Sequence, residues 1–97
     1  MEKFGDIING DKLTLVDFFA TWCGPCKKQH PILEQLKEEM GDRVRVLTLD
    51  VDRNAEVSDA YRVQSVPTLM LFRNGQVLWR QSGLMMLDDL KRVIETV

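Results

Sequence analysis

One junction narrows the possible folds more than any other feature. Leu13-Thr14-Leu15-Val16-Asp17-Phe18-Phe19-Ala20 is a largely apolar run broken by one acid, and Trp22-Cys23-Gly24-Pro25-Cys26 follows almost at once. The length of the run and its branched and aromatic content favour a strand buried on both faces, as in a parallel sheet. From Gly24 onward Ile32, Leu33, Leu36 and Met40 recur at helical spacing, and Gly41 is a suitable C-terminal stop. A buried strand therefore feeds a helix through a C-x-x-C pair, with both cysteines at the helix start.

The remaining segments extend this unit. Residues 3–9 predict a short helix ended by Gly10-Asp11, and Pro31 should kink the long helix because it lacks an N–H. Residues 44–51 read as a second buried strand, and Asn54 as the cap of a short helix carrying Val57, Ala60 and Tyr61. Thr68–Arg73 and Gln76–Ser82 flank Asn74-Gly75, a strong hairpin signal. Leu87, Leu90, Ile94 and Val97 mark the apolar face of a closing helix, with Asp88 and Asp89 near its positive end but no polar N-cap at Met85 or Met86. This order predicts an α/β sandwich in which parallel strands precede an antiparallel hairpin.

Residues 1–97 are enough for one domain with one core. With 13 basic and 15 acidic residues scattered along the chain, the net charge of −2 shows no basic stripe for nucleic acid. No apolar run is long enough to span a bilayer. The first residues have no export-signal pattern, so the sequence as written predicts a cytoplasmic protein. Two cysteines are too few for a disulfide scaffold. A bridge between Cys23 and Cys26 would close a loop too small to remove much entropy from the unfolded chain.

Redox chemistry accounts for the pair better. A thiol reacts as its thiolate, and a helix N-terminus favours that form through its N–H donors and positive dipole end. Cys23 occupies this place, and Cys26 lies within reach in the first turn, where Pro25 has no N–H to waste. Cys23 would attack a target disulfide, and Cys26 would then break the mixed disulfide. A zinc site needs four ligands, and His30 is the only other soft donor, so no metal is expected.

Two other residues draw notice. Buried among Leu15, Val16, Phe18 and Phe19, Asp17 would have a raised pKa and could accept the proton of Cys26 through a water; the alternative turns it outward at a sheet end. Val66-Pro67-Thr68 reads by default as a loop-to-strand junction with a trans bond, since about 5–6% of X–Pro bonds are cis.

At these residues the chain resembles the thioredoxin family. The matching stretches are Val16 to Lys27, Pro31-Ile32-Leu33, Val66-Pro67-Thr68-Leu69, Phe72-Arg73-Asn74-Gly75 and Gly83, in family order across roughly residues 12–97. The resemblance implies a thioredoxin fold, with a central mixed sheet flanked by helices. It makes Cys23 the nucleophile, Cys26 the resolving thiol and Asp17 the buried proton acceptor. It makes the Val66–Pro67 bond cis beside the sulfurs, with Val66 offering backbone hydrogen bonds to an extended substrate. Trp22, Pro67 and Gly83 would line an apolar docking patch, and Gly24-Pro25 is of the type found in reducing members.

The chain also departs from the family. The usual first strand has too few residues to form, which predicts about four strands with residues 44–51 as an exposed edge. Phe19 replaces a common tryptophan. Thr48 replaces a lysine that often partners the buried acid, which should raise the pKa of Asp17 further. Asp50 is a further acid on that strand. Trp79 reads as packing on the last strand, Met85 and Met86 as loop or core filling with an extension of the docking patch near Gly83 as the alternative, and His30 as a solvated helix residue.

The expected activity is protein-disulfide reduction by dithiol–disulfide exchange. The resemblance implies disulfide-containing proteins and a separate NADPH-dependent flavin reductase as partners, and with no Gly-rich phosphate loop this chain is expected to hold no nucleotide itself. No bound cofactor is expected beyond the redox-active disulfide, and the chain is expected to be a monomer. Two alternatives are an exported thiol reductase or oxidase of the same fold, and a docking module whose redox chemistry is incidental.

Overall fold

Period-two alternation along the first strand sorts the core into two halves. In the computed structural model, which describes residues 3–97, that strand is β1 (Thr14–Phe19). Leu13 and Leu15 point to one side and Val16 and Phe18 to the other, as alternation requires. All of them are buried, which agrees with the expected two-faced burial.

On the Leu15 side lie α2 (Gly24–Met40) and α4 (Leu87–Thr96). They contribute Leu33, Leu36, Met40, Leu90 and Ile94 to one apolar cluster. Truncating a fully buried leucine here, such as Leu36, should cost about 2–5 kcal/mol. On the Phe18 side lie α1 (Phe4–Ile8) and α3 (Ala55–Ala60). Phe4 packs edge-on against Phe72 at 5.6 Å and against Tyr61 at 5.7 Å, so a five-residue helix is held by aromatic contact.

Strands β2 (Arg45–Asp50), β3 (Thr68–Arg73) and β4 (Gln76–Ser82) complete a mixed sheet in the order β2-β1-β3-β4. β1 runs parallel to β2 and antiparallel to β3, while β3 and β4 form the expected hairpin. Asn74 and Gly75 take φ values of 53° and 76° in its turn. A side chain at Gly75 would also meet Asn9 Oδ1 at 3.3 Å, because the turn donates its N–H groups to Ile8 and Gly10 carbonyls.

Several expectations require correction. The strand over residues 44–51 is only partly buried: Val44 is in the core, but Arg45 and Thr48 are exposed and Val46, Leu47, Leu49 and Val51 are half-buried. β2 is an edge with one sheet neighbour, so its outer side stays open, as the four-stranded reading implied. Asn54 sits at the N-cap of α3 but makes no cap bond; its Nδ2 donates instead to the Asp50 carbonyl at 2.9 Å. Ser58, not Ala60, is the buried residue of α3. Ile32 is half-buried, while Val97 and Met86 are exposed. Helix α2 passes through Pro31 as one helix, with Pro31 on its exposed side. Trp79 and Met85 pack against the core as expected.

Candidate active site

The alternation that builds the core also aims Asp17. It shares the parity of Leu15, so it lies beneath the start of α2. The chain then turns, with the Cys23 N–H donating to the Ala20 carbonyl at 3.2 Å, and α2 begins. Cys23 is the N-cap, and its Sγ accepts the Cys26 N–H at 3.1 Å. Cys23 and Cys26 form a disulfide with their Cα atoms 5.3 Å apart. At 4% and 5% exposed the two cysteines are not ranked by accessibility. Position ranks them: a sulfur accepting a main-chain N–H at a helix N-terminus is stabilised as the thiolate.

Behind the disulfide is a cavity of about 360 Å³ whose walls include Asp17, Cys26, Lys27, His30 and Thr48. Asp17 is 2% exposed, and its Oδ1 has no hydrogen-bond partner among the described residues. Burial alone pushes its pKa from 3.8 up to about 7. The strand register sets Thr48 on one side of it and Leu69 on the other, so neither neighbouring strand supplies a charge. His30 lies at the solvated rim, with Nε2 3.9 Å from Glu34 Oε1.

In front of the disulfide, the Val66–Pro67 peptide bond is cis. The Val66 carbonyl oxygen is 3.6 Å from Cys23 Sγ, and the Pro67 carbonyl accepts the Gly83 N–H at 2.8 Å. A groove of about 460 Å³ runs between Gly24-Pro25, Val66-Pro67 and Gly83. Trp22 is not part of its lining; it is 70% exposed, and its indole N–H donates to Asp52 Oδ2 at 3.0 Å. Asp50, whose direction the sequence leaves open, turns its Oδ1 to the Asp52 N–H at 2.9 Å. Among the described residues no group of three or more His, Cys, Asp or Glu side chains is placed to hold a metal ion.

The thioredoxin family model matches residues 1–96. The chain is 40% identical over 82 residues to the thioredoxin of Bacillus subtilis (strain 168), an alignment covering 84% of this chain and 79% of that protein. The chain belongs to the thioredoxin family. It is also 45% identical over 80 residues to the bifunctional thioredoxin reductase/thioredoxin of Mycobacterium leprae, spanning 82% of this chain but only 18% of that longer protein. The structure of Malassezia sympodialis thioredoxin superposes with a TM-score of 0.88 at 33% identity, covering 96% of this chain and 83% of the other. The fold is thus the thioredoxin fold, here with a four-stranded mixed sheet. A thioredoxin domain with a bonded Cys23–Cys26 pair is a thiol–disulfide oxidoreductase of the protein-disulfide reductase kind.

Four residues at this thioredoxin site escaped the sequence reading. Asp52 and Leu84, which joins Lys28 in lining the groove, carry no local signal. Gln29 does: it falls on the stripe Cys26, Gln29, Leu33, Leu36, Met40, where a polar residue needs a partner. Fully buried, it accepts the Met85 N–H at 2.8 Å and donates to the Met85 carbonyl at 3.0 Å.

Proposed function

We propose that residues 1–97 work as one thioredoxin-like domain, an electron carrier that reduces disulfides in partner proteins. The observation that carries this reading is the Cys23–Cys26 pair at the tip of α2, between a buried unpaired acid and an open groove. In the reduced protein, the Cys23 thiolate attacks one sulfur of a partner disulfide. The partner S–S bond breaks, a mixed disulfide forms on Cys23, and the departing partner thiolate takes a proton from water. Cys26 then gives its proton to Asp17, directly or through one water in the cavity, and attacks Cys23 Sγ. The mixed disulfide breaks, the second partner thiolate leaves and is protonated, and the Cys23–Cys26 disulfide forms. Two electrons pass to the partner.

Trp22, Gly24, Pro25, Val66, Pro67 and Gly83 bind the partner chain, with Val66 offering main-chain hydrogen bonds to an extended segment. Disulfide-containing proteins are the substrates. A separate NADPH-dependent flavin reductase returns the electrons, a reading supported by the Mycobacterium leprae relative, whose name joins reductase and thioredoxin. The domain itself holds no cofactor beyond the redox-active disulfide, and no nucleic acid or membrane partner is assigned. We place it in the cytoplasm as a monomer. Insulin reduction combined with a redox titration of the cysteine pair tests the proposal. Insulin left intact by the dithiol form, or an oxidising potential for the pair, contradicts it.

A further inference from the structure

The loop that closes the groove is held from two directions. At one end, the Gly83 N–H donates to the Pro67 carbonyl at 2.8 Å. At the other, the Gln29 amide takes both main-chain groups of Met85, accepting its N–H at 2.8 Å and donating to its carbonyl at 3.0 Å. Leu84 sits between these anchors, 40% exposed and lining the groove. Gln29 is one helical turn beyond Cys26 on the same face of α2, and none of its surface is exposed. A fully buried amide satisfied at both its ends by one loop residue is a fixed link between that loop and the helix carrying the cysteines.

We infer that Gln29 is a positioning residue for partner docking: its two-point clamp on Met85 fixes Leu84 as one wall of the groove. The clamp sets where the side chain beside a partner's reacting cysteine must lie relative to Cys23. A leucine wall at that place favours partners with a large apolar residue next to the cysteine. The inference rests on the reading of the groove as the partner-binding site. Gln29 touches neither sulfur, so its contribution belongs to docking and not to the exchange itself. A small aromatic disulfide that reacts at the thiolate without filling the groove should be indifferent to it.

The test compares the pre-reduced wild type with Gln29→Met, a change close in volume that cannot make both bonds, and with Leu84→Ala. Stopped-flow reduction of insulin gives a half-saturating concentration and a limiting rate. Reaction with 5,5′-dithiobis(2-nitrobenzoate) gives the rate without docking. We expect Gln29→Met, which loses both bonds to Met85, to raise the insulin half-saturation about fivefold or more, with the limiting rate and the small-disulfide rate unchanged. Leu84→Ala should reproduce that rise, and the double variant should add little to it, because both act on one wall. Amide exchange at Met85 in the wild type should be slow, which reports the clamp even where Gln29→Met folds poorly. An unchanged half-saturation, a parallel fall in the small-disulfide rate, additive effects in the double variant or an unprotected Met85 amide would each overturn the inference. A wild type that does not reduce insulin at all overturns the proposed function instead.

Discussion

The two sides of the disulfide are built for opposite tasks. Behind it, Asp17 is sealed among core residues with an oxygen that no described residue satisfies, and burial alone moves its pKa toward neutrality. In front, Trp22 and Leu84 are left open to solvent while main-chain bonds hold the loops that carry Pro67 and Gly83. The rear holds a proton site that is costly to bury, and the front holds apolar surface that is costly to expose. The difference teaches that proton handling and partner recognition are separable in this molecule, with the sulfurs as their shared boundary.

The boundary itself should give the largest effect. Cys23→Ser is expected to lower insulin reduction by on the order of 10³-fold or more, since no thiolate remains to attack. Cys26→Ser should instead accumulate a mixed disulfide between Cys23 and the partner, visible by non-reducing mass spectrometry. A trap that forms equally well on Cys23→Ser contradicts the assigned order.

A cut confined to the rear comes next. Asp17→Asn should slow the resolving step about 10²-fold and remove the step near pH 7 from its rate profile, leaving partner affinity unchanged. Wild-type rates across pH 6–9 would take Asp17 out of the mechanism. The same variant carries a stability signature of fixed sign. The unfolded Asp17 loses its proton near 3.8, whereas the folded one keeps it to about 7, so the folded state binds more protons between these values. Wild-type stability should therefore fall, relative to Asp17→Asn, as pH rises from 4 to 7, and then level off. The raised pKa caps that loss at about 4 kcal/mol, reduced by water in the adjoining cavity. Denaturant melts at pH 4, 6 and 8 measure it.

The corresponding cut at the front is milder. Trp22→Ala should raise half-saturation for insulin about three- to tenfold while the small-disulfide rate holds. The smallest expected effect sharpens the comparison from the rear. Thr48→Lys places an ammonium beside Asp17 in the strand register and should move the pH step downward by about 0.5–1 unit. A step that stays in place would show that the ammonium points away to solvent.

Much of this site was legible because its logic is local. The apolar run over residues 13–20, the C-x-x-C pair opening a helix and the Asn74-Gly75 turn are each defined by near neighbours, and each appears where the pattern puts it. The readings that needed correction share another cause. β2 alternates apolar and polar residues much as a buried strand can, but only one strand lies beside it, so past Val44 the residues that looked buried are half-buried or exposed. Asn54 has the right type for a cap, but the Asp50 carbonyl offered its side chain a different partner. Gln29, which the sequence reading passed over, is a polar residue on an apolar stripe whose partner lies 56 positions away.

By itself the sequence determined which elements form and which groups carry chemistry, because periodicity, turn residues and a two-residue gap between cysteines act over a few bonds. Tertiary structure alone decided what faces those groups. It turned Asp17 under α2 with no charge opposite it on either neighbouring strand, brought Val66 to 3.6 Å from Cys23 across 43 positions, and tied the Leu84 wall to the helix of the cysteines. These relations arise from sheet order and helix packing, where the contacts are distant in sequence and no local pattern encodes them.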